Sequence, residues 1–247
     1  MSANLKRGCG ILLGAAFIIL SILALLPEAD VDHDAGYISS ELNIQETVDG
    51  SVTGTSYVNS DGVITEAIDM DYATVCRMWD ENGRIIGERY LDANGDPVAR
   101  YDDYYGVSYE YDETSTVITY LDAEGNPIIR SDGYSTIIRT QIDSMASEDF
   151  YYDLDGQQVQ CSGGYYGLQH WYNSDGQNTG MTFLDKDGHA VCSSSGYAGV
   201  TYQCNMDGTV VGEQYFDTEG NPVRASLGQY GELYQRNEQG YISQITF

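Results

Sequence analysis

The strongest constraint on this 247-residue chain is that it repeats itself. The run Tyr90-Leu91-Asp92-Ala93-Asn94-Gly95-Asp96-Pro97-Val98 returns as Tyr120-Leu121-Asp122-Ala123-Glu124-Gly125-Asn126-Pro127-Ile128. It returns again as Tyr215-Phe216-Asp217-Thr218-Glu219-Gly220-Asn221-Pro222-Val223. Weaker copies occupy residues 152–156 and 184–188, and the earliest is Val58-Asn59-Ser60-Asp61-Gly62. The leading Asp or Asn residues are 59, 92, 122, 153, 185 and 217, spaced 33, 30, 31, 32 and 32. A fixed period of this length marks a repeat architecture, in which one small unit stacks on copies of itself.

Two further series share the period. One begins at Asp80, Asp112, Asp143, Asn173, Asn205 and Asn237, and all but Asp112 and Asp143 carry a glycine three residues on. Those two turns are expected to be looser. The other is a Gly-Tyr mark: Gly133-Tyr134, Gly164-Tyr165-Tyr166-Gly167 and Gly196-Tyr197-Ala198-Gly199, with Tyr105-Gly106 and Tyr230-Gly231 corresponding.

The first two series carry turn chemistry. An Asp or Asn side chain accepts from backbone amides just ahead of it, and the glycine takes the left-handed conformation that closes the turn. Three of the four prolines follow such a glycine by two residues, where a ladder donor must be dispensable. Between the turns lie strand-like runs. Val107-Ser108-Tyr109-Glu110-Tyr111 and Val200-Thr201-Tyr202-Gln203-Cys204 alternate with period two. The spacing predicts an all-β fold: an elongated antiparallel β-meander or solenoid of about six 32-residue repeats, each with about three short strands. The alternative is a closed six-bladed propeller, whose blades normally need four strands.

The N-terminus obeys different rules. Residues 8–26 contain no charge, with Lys6 and Arg7 before them and Glu28, Asp30, Asp32 and Asp34 after. As a helix this stretch spans about 28 Å, close to the hydrocarbon thickness of a bilayer. The reading is a cytoplasmic tail at 1–7, a transmembrane signal anchor at 8–26, an acidic spacer at 27–56 and a repeat domain at 57–247. The basic flank keeps the N-terminus cytoplasmic and places the repeats outside. The rival is a cleaved signal peptide, with a shorter apolar region and a small-x-small site. The remaining balance is acidic, with 11 Lys+Arg against 38 Asp+Glu for a net charge of −27. Such a surface repels phosphate backbones, which excludes nucleic acid as a partner.

Tyr109-Glu110-Tyr111-Asp112 and Trp79-Asp80-Glu81-Asn82-Gly83-Arg84-Ile85 resemble the YD repeats of RHS-type bacterial surface and toxin-associated proteins. The same tyrosine, aspartate, turn and glycine grammar is similar to MORN-like hairpin repeats. The resemblance is one of repeat style, covers roughly residues 57–247, and implies a β-hairpin array. His170-Trp171-Tyr172-Asn173-Ser174-Asp175-Gly176 is similar to the cell-wall-binding repeats of Gram-positive surface proteins, although tryptophan occurs only at Trp79 and Trp171.

Candidate chemistry is sparse. Asp153-Leu154-Asp155-Gly156 and Asp185-Lys186-Asp187-Gly188 place two carboxylates in one turn, but lack the further oxygen ligands of a calcium loop, and turn capping accounts for both. Cys76, Cys161, Cys192 and Cys204 show no zinc spacing, and a Cys192–Cys204 disulfide is left open. His33, His170 and His189 accompany no nucleophile motif. The expectation is therefore no enzyme, no cofactor and no metal site. What is left is tyrosine, a rigid apolar plate with a hydroxyl, suited to protein or sugar surfaces. The expected contact residues are Tyr134, Tyr165, Tyr166, Trp171, Tyr197 and Tyr202. They suggest a membrane-anchored, extracytoplasmic binding or adhesion module for a protein or a neutral glycan, held to the lipid bilayer through residues 8–26. The alternatives are an immunity-like contact inhibitor of a toxin and a ligand-free surface spacer.

Overall fold

The structure, a computed structural model, describes residues 43–66, 71–100, 103–205, 209–236 and 242–246. Turns and strands alternate throughout. The strands are β1 (Asn43–Asp49), β2 (Val52–Val58), β3 (Thr74–Trp79), β4 (Ile85–Leu91), β5 (Gly106–Tyr111) and β6 (Ser115–Leu121). They continue as β7 (Thr136–Asp143), β8 (Ala146–Tyr152), β9 (Gly167–Tyr172) and β10 (Asn178–Leu184). The last four are β11 (Gly199–Cys204), β12 (Val210–Phe216), β13 (Gly231–Arg236) and β14 (Ile242–Thr246). All belong to one antiparallel sheet whose spatial order equals the chain order. The sheet is open, since among the described residues β1 pairs only with β2 and β14 only with β13. A propeller is thereby excluded.

Each repeat supplies two strands rather than three. The third run makes only a single bridge back to the strand it has just left: Leu91 with Pro97, Leu121 with Pro127, Leu184 with Ala190 and Phe216 with Pro222. One bridge suffices because the Asp turn reverses the chain within four residues. In the turn at Asp92, the Oδ1 atom accepts from the amides of Asn94 at 2.8 Å and Asp96 at 2.9 Å. The Gly95 amide closes onto the Asp92 carbonyl at 3.1 Å. These bonds to the ionised carboxylate, the Asp96 amide foremost, hold the Asp92 carboxyl below its ordinary pKa. Proline fits at the bridge, as expected, because the amide that donates back to the strand belongs to the next residue, as in Val98 to the Tyr90 carbonyl at 3.0 Å.

The hairpins that lack glycine are tighter, not looser. Residues 112–114 join β5 to β6 and residues 144–145 join β7 to β8, whereas residues 80–84 join β3 to β4. With fewer loop residues the chain reverses without a left-handed position. The Gln141 amide donates to the Asp143 carbonyl, and to that of Ala146 at 3.1 Å, bracing the shorter loop.

Two boundaries also move. Residues 43–56, read from sequence as the end of the acidic spacer, form β1 and most of β2. The alternation in Val52–Val58 is weak because Gly54 interrupts it, yet Tyr57 is buried. The expected membrane segment at 8–26 lies outside the described residues, among which no helix is long and apolar enough to cross a membrane.

The core is a spine of aromatic rings. Strand residues Tyr57, Tyr90, Tyr120, Tyr151, Phe183 and Tyr215 alternate with connector residues Tyr72, Tyr104, Tyr134, Tyr165 and Tyr197. Successive centroids lie between 4.3 Å (Tyr134–Tyr151) and 6.0 Å (Tyr120–Tyr134) apart. Each such pair contributes about 0.5–1.5 kcal/mol beyond the area it buries. Burial pushes the phenols of Tyr90, Tyr120 and Tyr151 well up from their ordinary range. Arg130 lies over three of the rings, 4.5 Å from the Tyr120 centroid, and Arg100 over Tyr72 and Tyr90. Neighbouring connectors are tied by backbone bonds, such as the Ser162 amide to the Asp132 carbonyl at 2.8 Å and the Ser194 amide to that of Gly163 at 2.8 Å.

Candidate functional site

The rings of the Gly-Tyr mark point inward. Tyr134 is 4% exposed, and Tyr165 and Tyr197 are half-buried between strand rings. These three expected contact residues are therefore spine, and any contact role has to coexist with packing. Tyr202 lies half-buried against the Val200, Tyr215 and Ala225 cluster on the same face. Tyr166 is half-buried just ahead of β9, with its amide bonded to the Leu184 carbonyl and its carbonyl taking the Tyr151 amide. Only Trp171 stands out. It is 41% exposed and projects from the opposite face of an interior strand. The six residues do not form one accessible surface.

Beside the spine runs a second inward row, made of facing pairs from the two strands of each hairpin. In β3 and β4 it holds Arg77 and Glu88, with Arg77 Nε 2.7 Å from Glu88 Oε1. The other Glu88 oxygen accepts from the hydroxyls of Tyr90 and Tyr109, each at 3.3 Å. In β7 and β8 the pair is Arg139 and Asp149, joined by a two-pronged contact of 2.6 and 2.5 Å. His170 on β9 brings its Nε2 to 3.3 Å from Asp149 Oδ2. Asp149 is wholly buried, and Arg139 and His170 nearly so. Burial alone would raise the Asp149 carboxyl. The Arg139 guanidinium outweighs it and holds the group down at about 2. This cluster was missed in the sequence, although Arg139 and Asp149 both stand at inward positions of alternating strands.

The cluster is sealed from solvent and out of a substrate's reach. Among the described residues no group of three or more His, Cys, Asp or Glu side chains could hold a metal ion. Cys76, Cys161, Cys192 and Cys204 are free thiols.

The accessible chemistry lies around Trp171. In register, other repeats place Met78, Glu110, Thr140, Gln203 and Gln235 at its position. A residue needed by the architecture would recur; this one does not. The indole Nε1–H donates to Thr182 Oγ1 at 3.2 Å, on β10, so the ring leans across that strand. Gly180 faces Trp171 there, and a side chain on it would collide with the Val200 carbonyl. On the other flank, the Gln169 amide donates to Glu148 Oε1 at 3.3 Å. No protein-family model matches the chain, and no curated protein is similar to it.

Proposed function

We propose that this protein is a membrane-anchored, extracytoplasmic binding module whose contact surface is the sheet face bearing Trp171, and that it performs no catalysis. The observation that carries the reading is a large indole held open on an interior strand, at a position filled by a different residue in every other repeat. Anchoring rests on the uncharged stretch at 8–26 and its basic flank. A binding role agrees with the placement of the histidines: His170 is buried, as is the Ser147 that faces it, and His189 rests on a turn 3.6 Å from Asp185. The YD-like and MORN-like repeat style is consistent with a surface array of this kind.

Two measurements test it. Protease added to intact cells should remove the repeat domain; full protection would overturn the orientation. Cells displaying the whole chain should adhere to immobilised neutral glycans or basic peptides, and Trp171→Ala should weaken adhesion at least tenfold, about 1.4 kcal/mol, with an unchanged melting temperature. Adhesion to none of them would leave a ligand-free spacer as the better reading.

A further inference from the structure

Four side chains and a glycine surround the exposed indole on its face of the sheet, and their chemistry is selective. Gln169 precedes Trp171 by two residues on β9 and is bonded to Glu148 on β8. Thr182 on β10 fixes the indole edge, and Gly180 leaves the strand beside it without a side chain. Beyond Gly180, across the β10–β11 pairing, stands the exposed Thr201. An apolar plate thus has an amide–carboxylate pair on one side and hydroxyls on the other. Neighbouring strands are about 4.8 Å apart, so Glu148 on β8 and Thr182 on β10, two strand steps from each other, stand about 10 Å apart with the indole between them.

We infer that this surface binds a neutral saccharide, with one pyranose ring stacked on Trp171 and its hydroxyls bridging to Glu148 and Gln169. The inference rests on the Trp171 face being the contact surface, and goes further by naming the ligand class. A pyranose presents an apolar face of C–H groups and a rim of hydroxyls that both donate and accept. The carboxylate of Glu148 accepts from that rim, and the Gln169 amide donates and accepts. An anionic sugar is disfavoured by Glu148 and by the −27 charge of the chain. An extended peptide finds no free backbone here, since β9 is paired on both sides, with β8 and β10.

The test uses the full chain in detergent and titration calorimetry with four probes: a β-1,4-linked glucose hexamer, an N-acetylglucosamine hexamer, polygalacturonate and a deca-arginine peptide. At least one neutral hexamer should bind, and polygalacturonate should not. Trp171→Ala should abolish binding, and Gln169→Ala should weaken it about tenfold, with melting temperatures unchanged. Because the chain has two tryptophans, a Trp79→Phe background isolates the Trp171 emission, which should shift to the blue as sugar is added. Binding of neither neutral hexamer overturns the inference. If deca-arginine alone binds and is lost in Trp171→Ala, the saccharide falls and the contact surface stands. Sugar binding that survives Trp171→Ala overturns both.

Discussion

Two rows of side chains cross the same face of the sheet, and they follow opposite rules. The ring spine is nearly the same in every repeat: one ring from the strand, one from the connector, from Tyr57 to Tyr215. The row beside it changes at each step: Arg77 with Glu88, Tyr109 with Ile118, Arg139 with Asp149, His170 with Met181, Tyr202 with Glu213. Cohesion comes from the first row, because any ring fits against any other. Order comes from the second. A hairpin displaced by one whole repeat would still stack its rings and keep its own Arg139–Asp149 pair, but it would lose the contact of Asp149 with His170 on the next hairpin and set the buried ion pair against an apolar neighbour. A repeat protein built only on its spine would have several nearly equivalent ways to assemble.

The sharpest way to break this contrast is to remove one charge. Asp149→Ala leaves Arg139 buried beside a cavity and is expected to cost about 3–5 kcal/mol in urea unfolding. Replacing the cluster as a unit, Arg139→Met with Asp149→Leu and His170→Phe, is expected to leave stability unchanged or raised. Refolding of that variant should then yield misassembled species, resolved by size exclusion, that the parent chain lacks. Clean refolding of the triple variant would show that the polar row does not order the repeats.

Acid gives a smaller effect from the same residue. The Asp149 carboxyl is held at about 2 against an ordinary 3.8. The folded state therefore takes up this proton at lower pH than the unfolded chain. The stabilisation is complete above about pH 4 and lost as pH falls towards 2, about 2 kcal/mol in all. Urea midpoints measured across that window should fall in the parent and fall less in Asp149→Asn, compared with each protein's own value at pH 6.

The smallest effect sharpens the other row. The spine stops where the connector before β13 carries Gln229 in place of a tyrosine. Gln229→Tyr adds one ring next to Tyr215 and should raise stability by about 0.5–1.5 kcal/mol, read as a higher melting temperature. No gain would mean that the spine ends there for lack of room rather than lack of a ring.

Much of the spine was legible in advance, and the places where it was not are instructive. The Gly-Tyr mark picks out Tyr134, Tyr165 and Tyr197 but passes over Tyr72 and Tyr104. Those two follow Asp71 and Asp103, which adopt φ of 53° and 65° where Gly133, Gly164 and Gly196 have φ of 96°, 88° and 86°. Aspartate tolerates the left-handed region better than most residues. The conformation is conserved along the array while its glycine is not, so a search for glycine finds only part of the series. The marked tyrosines Tyr134, Tyr165 and Tyr197 also serve as packing, which the sequence did not disclose, because a ring beside a turn looks the same in sequence whether it faces solvent or another ring.

The repeat period, the position of every Asp turn and the antiparallel course of the strands were determined by the sequence alone. Those features rest on contacts between residues two to four apart, such as the Asp92 carboxylate with the amides of Asn94 and Asp96, and local chemistry is written locally. Only the tertiary structure decided that the sheet is open, that Tyr134 is core while Trp171 is surface, and that Arg139, Asp149 and His170 meet. Arg139 and His170 are 31 positions apart and lie on two strands separated by β8. Their meeting depends on the register of two strand pairs at once, and a shift of one residue in either would turn the side chains to the opposite face.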